Sequence, residues 1–82
     1  MKVPRDLDGD ELIRRLRKFG YERTRQSGSH IRLTRTKEGV AHHITIPLHH
    51  PLRIGTLNTI LGEIAENLGI SKDELLEKIV RS

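Results

Sequence analysis

The spacing of the apolar residues changes period twice along this chain, and that switch restricts the fold more than any single motif. Leu12, Ile13, Leu16 and Phe19 fall at i, i+1, i+4 and i+7, one face of a helix. Asp8 and Glu11 have the spacing of a capping box and Gly20 is a natural stop, which predicts a helix over about 8–19. From Tyr21 to Gln26 the helical spacing is lost. Ile31 and Leu33 then alternate with His30, Arg32 and Thr34, and Ile44, Ile46 and Leu48 alternate with His43, Thr45 and Pro47. A period of two is that of half-buried strands. Strands are therefore predicted at about 21–26, 30–35 and 42–48, joined by turns at Ser27-Gly28-Ser29 and Lys37-Glu38-Gly39. The helical period returns with Leu57, Ile60, Leu61, Ile64 and Leu68, predicting a helix over about 55–68 that Gly69 closes. Ser71 and Glu74 form a second capping-box pattern. It opens a last helix over about 72–80, with Leu75, Leu76, Ile79 and Val80 inward.

The predicted order is α-β-β-β-α with an extra C-terminal helix, an α+β class. A three-stranded antiparallel meander with all helices on one face is the economical way to bury those stripes. Double-stranded RNA-binding domains share this order, but topology alone does not assign function. The 82 residues fit one domain spanning 1–82, with no internal repeat or linker. There is no cysteine, which excludes disulfides, thiolate chemistry and cysteine-based zinc sites. The first eight residues hold no apolar run of signal-peptide length, and no stretch reaches the roughly 18–20 apolar residues of a membrane span. A cytoplasmic protein with no membrane partner is expected.

Charge points to a polyanion. The formal net charge is +4, and it is unevenly spread. Residues 1–37 carry eleven basic against five acidic side chains, whereas residues 38–82 carry four against six. Arg14, Arg15, Arg17 and Lys18 form the outer face of the first helix, either as a solvated basic face or as part of an RNA surface, for which Lys18 is a candidate. Tyr21 and Phe19 are the only aromatics, which argues against recognising single strands by base stacking.

The segment Arg25-Gln26-Ser27-Gly28-Ser29-His30 is the first chemical candidate. By strand parity His30 points away from Ile31 and Leu33, so it is accessible. An accessible imidazole can titrate near neutral pH and move protons. Arg23, Arg25, Arg32 and Arg35 surround it in sequence. Arg32 shares its strand face, about 7 Å along the chain. Guanidinium groups there would bind phosphate and stabilise developing negative charge, and the turn's backbone N–H groups would add anion contacts.

Taken together, Gly20-Tyr21, Arg25-Gln26-Ser27-Gly28-Ser29-His30, Ile46-Pro47-Leu48-His49, Gly55-Thr56-Leu57 and Ile60-Leu61 resemble the HicA family of toxins over roughly residues 8–76. These are small mRNA interferases with a double-stranded-RNA-binding-like fold, neutralised by HicB antitoxins. The resemblance implies that His30 is the catalytic residue, that mRNA is the substrate and that a HicB-like antitoxin is the partner. The second helix is longer than the compact family pattern, and the pairs His42-His43 and His49-His50 depart from it.

On this reading the protein is an endoribonuclease with RNA contacts at Lys18, Arg25, Gln26, Ser27, Gly28, Ser29, Arg32 and Arg53. RNA supplies its own 2′-OH nucleophile, so no metal and no cofactor are expected, and His30 serves as general base or general acid. A non-catalytic RNA-binding module of the same topology is the alternative. His42 and His43 point to opposite faces of a strand and do not chelate one ion easily. His49-His50 lies in a loop, where a metal site or a secondary RNA or antitoxin contact is conceivable. Ala65–Ser71 has the outline of a helix-turn-helix turn, but the helix after it carries Asp73, Glu74 and Glu77 against Lys72 and Lys78, a poor match to DNA. Arg53 precedes a helix N-terminus, where free N–H groups attract anions.

Overall fold

The apolar stripe of Leu12, Ile13 and Leu16 is buried in helix α1 (Gly9–Leu16), which tightens into a 3-10 turn over Arg17–Phe19. Three strands follow, β1 (Glu22–Ser27), β2 (His30–Lys37) and β3 (Val40–Pro47), and then helices α2 (Ile54–Leu68) and α3 (Lys72–Val80). This computed structural model describes residues 7–49 and 51–81. The strands form one antiparallel meander in the order β1-β2-β3. The expected α-β-β-β-α order with an added C-terminal helix is therefore present.

The two hairpin turns differ in backbone sign. Gly28 has φ +60° with Ser29 on the ordinary side, the pattern of a II′ turn. Glu38 and Gly39 both have positive φ, 52° and 80°, the pattern of a I′ turn. These tight turns let β2 run to Lys37 and β3 start at Val40, so both strands are longer than the apolar alternation alone implies. Gly20 and Gly69 end their helices in the left-handed region. In each case the next residue's N–H reaches back five residues, from Tyr21 to Leu16 O and from Ile70 to Ala65 O. This is the Schellman arrangement. Ala65–Ser71 is thus a helix–helix corner, with Ser71 Oγ accepting from the Glu74 N–H at 3.0 Å.

Ile31 and Leu33 of β2 and Ile44 and Ile46 of β3 are buried against Leu12, Leu16, Leu57, Leu61, Ile64, Leu75 and Leu76 of the helices. β1 is different, because all six of its residues are exposed. It lies at the edge of the sheet beyond the helix layer, so it needs no apolar alternation. Val80, expected inward, is 51% exposed because α3 ends there.

The capping box expected at α1 does not form. Asp8 occupies the N-cap position without a side-chain capping bond. Glu11 instead binds Arg14 and Arg15, three and four residues on, spacings that place charges side by side on a helix. The hydrogen bond from Arg15, with smaller help from Arg14, holds the Glu11 carboxyl below its usual value. Gly9 closes the N-terminal packing, since a Cβ there would lie 2.3 Å from Pro47 O. Backbone bonds from Gly9 to His49 O and from Leu52 to Leu7 O tie this end of α1 to the loop after β3.

The other end of the core is held by a polar cluster. The fully buried Tyr21 donates its hydroxyl to Asn67 Oδ1 at 3.1 Å, and His42 Nδ1 lies 2.8 Å from the Tyr21 hydroxyl oxygen. With the phenol proton committed to Asn67, His42 Nδ1 is the donor of the second bond. Arg35 joins Asn67 Oδ1 and Phe19 O at 3.1 and 3.0 Å. Burial pushes the Tyr21 phenol above its ordinary value of 10.0, with the Arg35 cation opposing it. A raised value in the folded state means that the neutral phenol's contribution is full below the unfolded value. It is lost as pH rises through the raised one. We therefore expect denaturant unfolding midpoints to drop above about pH 10, and the drop to be smaller in Tyr21→Phe, whose hydroxyl loss costs about 1–3 kcal/mol at neutral pH.

Candidate nucleic-acid interface and catalytic pocket

The sheet face opposite the core carries the chemistry. His30 opens β2, paired with Ser27 of β1 on one side and Pro47 of β3 on the other. It is exposed, as the alternation with buried Ile31 and Leu33 requires. The turn before it is braced from two directions. Gln26 Nε2 donates to Gly28 O at 3.2 Å, and the Leu48 N–H donates to Ser29 O at 2.7 Å. A short turn held at both ends fixes where the His30 backbone starts.

A β-bulge sets the composition of the site. The β1–β2 register shifts between Arg23 and Arg25. Arg23 lies opposite the buried Leu33, so it faces the helix side. Without the extra residue, Arg25 would share that side. Inserting Thr24 reverses the parity and places Arg25 opposite Arg32 on the outer face. Arg25, Ser27, His30, Arg32 and Thr45 then line one pocket of about 200 Å³.

The pocket gathers two guanidinium groups and no carboxylate among its lining residues. Among the described residues neither Arg25 nor Arg32 is in an ion pair, while Arg14, Arg15, Arg23 and Arg81 each have a carboxylate partner. Like charges directly opposite on a sheet are destabilising by a few tenths to about 1 kcal/mol. A phosphate between the two guanidinium groups converts that repulsion into paired, charge-assisted hydrogen bonds. Ser27 and Thr45 offer hydroxyls beside them, and His30 offers an imidazole.

A larger groove adjoins the pocket. Arg32 and Thr45 belong to both. The groove, about 540 Å³, lies along the β3 edge where the outer sheet face meets the flank of α2, lined also by His43, Thr56, Thr59 and Glu63 and by the nearly buried Ile44 and Ile60. His43 Nδ1 lies 2.8 Å from Thr34 Oγ, which lies 2.8 Å from Thr24 Oγ, which donates to Arg32 O at 3.4 Å. The carbonyl can only accept, and each hydroxyl has one proton. The chain is therefore ordered from His43 Nδ1–H through both threonines to Arg32 O.

The structure divides the predicted contacts. Arg25, Ser27 and Arg32 gather with His30, Gly28 and Ser29 form its turn, and Gln26 braces that turn. Arg23 and Arg35 face the helix side, where Arg23 meets Asp10 and Arg35 holds Asn67. Lys18 is not gathered into the pocket. Its Nζ donates to Lys78 O at 2.6 Å near the end of α3, where Arg15 also donates to Ile79 O. Arg53 is the exposed N-cap residue of α2, outside the pocket lining. His42 and His43 do point to opposite faces, one to Tyr21 and the other to Thr34. His49 is exposed, and His50 lies outside the described residues. Among the described residues no three His, Asp or Glu side chains are grouped to hold a metal ion, and no helix is long and apolar enough to cross a membrane.

Thr45, His43 and Glu63 are site residues that sequence reasoning did not assign to the pocket or groove. Parity marks Thr45 as outward, but only the register sets it beside Arg32. A second hollow of about 560 Å³ lies between α1 and β1, but Asp10 and Glu22 are set among its arginines.

The fold and the pocket define a small α+β protein with a histidine and two arginines, unpaired among the described residues, on the sheet face opposite the core. The family model described as "HicA toxin of bacterial toxin-antitoxin" matches residues 9–70, and the chain belongs to this family. Membership makes it a toxin of the toxin–antitoxin type, with RNA as the general substrate class and a cognate antitoxin as the general partner. No curated protein and no solved structure matches the chain.

Proposed function

We propose that this chain is a metal-independent endoribonuclease that cleaves mRNA in the cytoplasm with His30, and that a HicB-like antitoxin neutralises it. The observation that carries the proposal is the pocket itself, where an exposed imidazole is flanked by two arginines without ion-pair partners among the described residues. Its element order, shared with double-stranded RNA-binding domains, is consistent with that substrate.

RNA brings its nucleophile with it. The 2′-oxygen loses its proton and attacks the adjacent phosphorus. The P–O5′ bond breaks, and the departing 5′-oxygen takes up a proton. The products are a 2′,3′-cyclic phosphate and a 5′-OH, with no water consumed. His30 moves one of these protons, as base at O2′ or as acid at O5′. Arg25 and Arg32 hold the phosphate and stabilise the charge that builds on its oxygens in the crowded transition state. Ser27 and Thr45 donate or accept at the sugar and phosphate oxygens. An antitoxin covering the outer face would exclude RNA and neutralise both arginines.

The test is cleavage of a defined RNA by purified protein in EDTA, with end-group analysis of the fragments. The expected products carry cyclic phosphate and 5′-OH ends at an undiminished rate. Cleavage that stops in EDTA, or that leaves 5′-phosphate ends, contradicts the mechanism. Salt-sensitive RNA binding without any cleavage would favour the non-catalytic module instead.

A further inference from the structure

We infer that the groove along the β3 edge and the flank of α2 is a base-reading subsite, in which Glu63 selects an unpaired nucleobase carrying an exocyclic amino group. The inference rests on the RNA reading of the His30 pocket and adds which part of the substrate lies beside it.

The two hollows adjoin, with Arg32 and Thr45 at their shared boundary. A strand whose phosphate sits on Arg32 has the groove within reach of its neighbouring nucleoside. The walls change character along that path. The His30 pocket holds two guanidinium groups and no carboxylate, as suits a phosphate. The groove holds hydroxyls from Thr45, Thr56 and Thr59, the His43 ring and the Glu63 carboxylate. A second phosphate there would meet the Glu63 charge. A neutral heterocycle would not, and Ile44 and Ile60 add a little apolar surface to the lining.

Glu63 sets the expected preference. An ionised carboxylate only accepts hydrogen bonds, so it pairs with amino groups, as on cytosine N4 or adenine N6, and opposes a carbonyl edge. His43 adds to this. Its Nδ1–H is committed to Thr34, so whenever the ring is neutral its other nitrogen is an acceptor too. Thr59 already donates its hydroxyl to Gly55 O at 3.1 Å, so it likewise meets the groove as an acceptor. An acceptor-rich wall favours adenine, cytosine or guanine over uracil, whose exocyclic groups are both carbonyls. Glu63 is exposed on α2, and its amide replacement is isosteric, so Glu63→Gln is expected to fold.

The experiment compares wild type and Glu63→Gln on an RNA pool randomised in sequence, with cleaved ends read by sequencing. Wild type is expected to prefer amino-bearing bases over uracil about tenfold at one position beside the cut, and Glu63→Gln to reduce this to within about threefold. A parallel series measures binding of oligocytidylate, oligoadenylate and oligouridylate to His30→Ala, with and without Glu63→Gln. An unchanged base preference in Glu63→Gln overturns the inference and leaves the cleavage reading standing. The same holds if Glu63→Gln weakens only antitoxin binding. A Glu63-dependent preference in binding without cleavage by wild type supports the groove and removes the catalytic reading. Absence of RNA binding overturns both.

Discussion

Replacing His30 with alanine is expected to lower the RNA cleavage rate by about 10²–10⁴, the usual contribution of a positioned general acid or base. Stability is expected to stay within about 0.5 kcal/mol of wild type, because surface changes away from packing have small effects. The imidazole is exposed, and its side chain has no hydrogen bond among the described residues. The backbone position that it occupies is held by others, through the Gly28 turn, the Gln26 brace and the Leu48 bond to Ser29 O. His30→Asn keeps hydrogen-bonding capacity but cannot carry a proton between oxygens, so it is expected to be as defective as the alanine variant. RNA binding measured in the same proteins should persist, since both arginines remain. Parallel losses of binding and cleavage would make His30 a contact residue instead.

Arg32→Ala is expected to cost about 10²–10³ in cleavage, comparable to the loss of one oxyanion donor. It removes one side of the like-charged Arg25–Arg32 pair and the residue shared by pocket and groove. Relief of that repulsion should leave the fold intact or slightly more stable. Arg32→Lys keeps the charge but not the planar fork, so it should restore binding more fully than rate. The salt dependence of binding gives an independent check. One phosphate contact fewer should make the slope of log affinity against log salt shallower by about 0.7, the single-strand value. An unchanged slope with an unchanged rate would place the phosphate elsewhere.

Much of this was legible in the sequence, and the reason is burial. β2, β3 and α2 each bury a continuous stripe, so their periods appear as Ile31/Leu33, Ile44/Ile46 and Leu57/Ile60/Leu61/Ile64. Parity then exposes His30 and Arg32 without further information. β1 buries nothing, and so its alternation carries no signal. The bulge at Thr24 is invisible for the same reason, yet it decides that Arg25, and not Arg23, joins His30.

The fate of the basic residues on α1 depends on tertiary partners. Arg15 and Lys18 reach carbonyls more than fifty residues away, at Ile79 and Lys78. Cations there complement the negative end of a helix dipole. The Asp8–Glu11 capping pattern was outcompeted by Arg14 and Arg15, which lie within reach of the same carboxylate. The groove needs α2 alongside β3, and no local spacing brings Glu63 and Thr56 to Arg32.

Cleavage in the His30 pocket depends on the RNA's own 2′-OH beside the scissile phosphate. One measurement reaches it directly: cleavage in EDTA of a mapped RNA target and of the same RNA with a single 2′-deoxyribose immediately 5′ to the scissile phosphate. Both are expected to bind equally, and only the all-ribose strand is expected to be cut at that bond, leaving a 2′,3′-cyclic phosphate. Cleavage of the deoxy-substituted strand at the same bond would contradict that dependence.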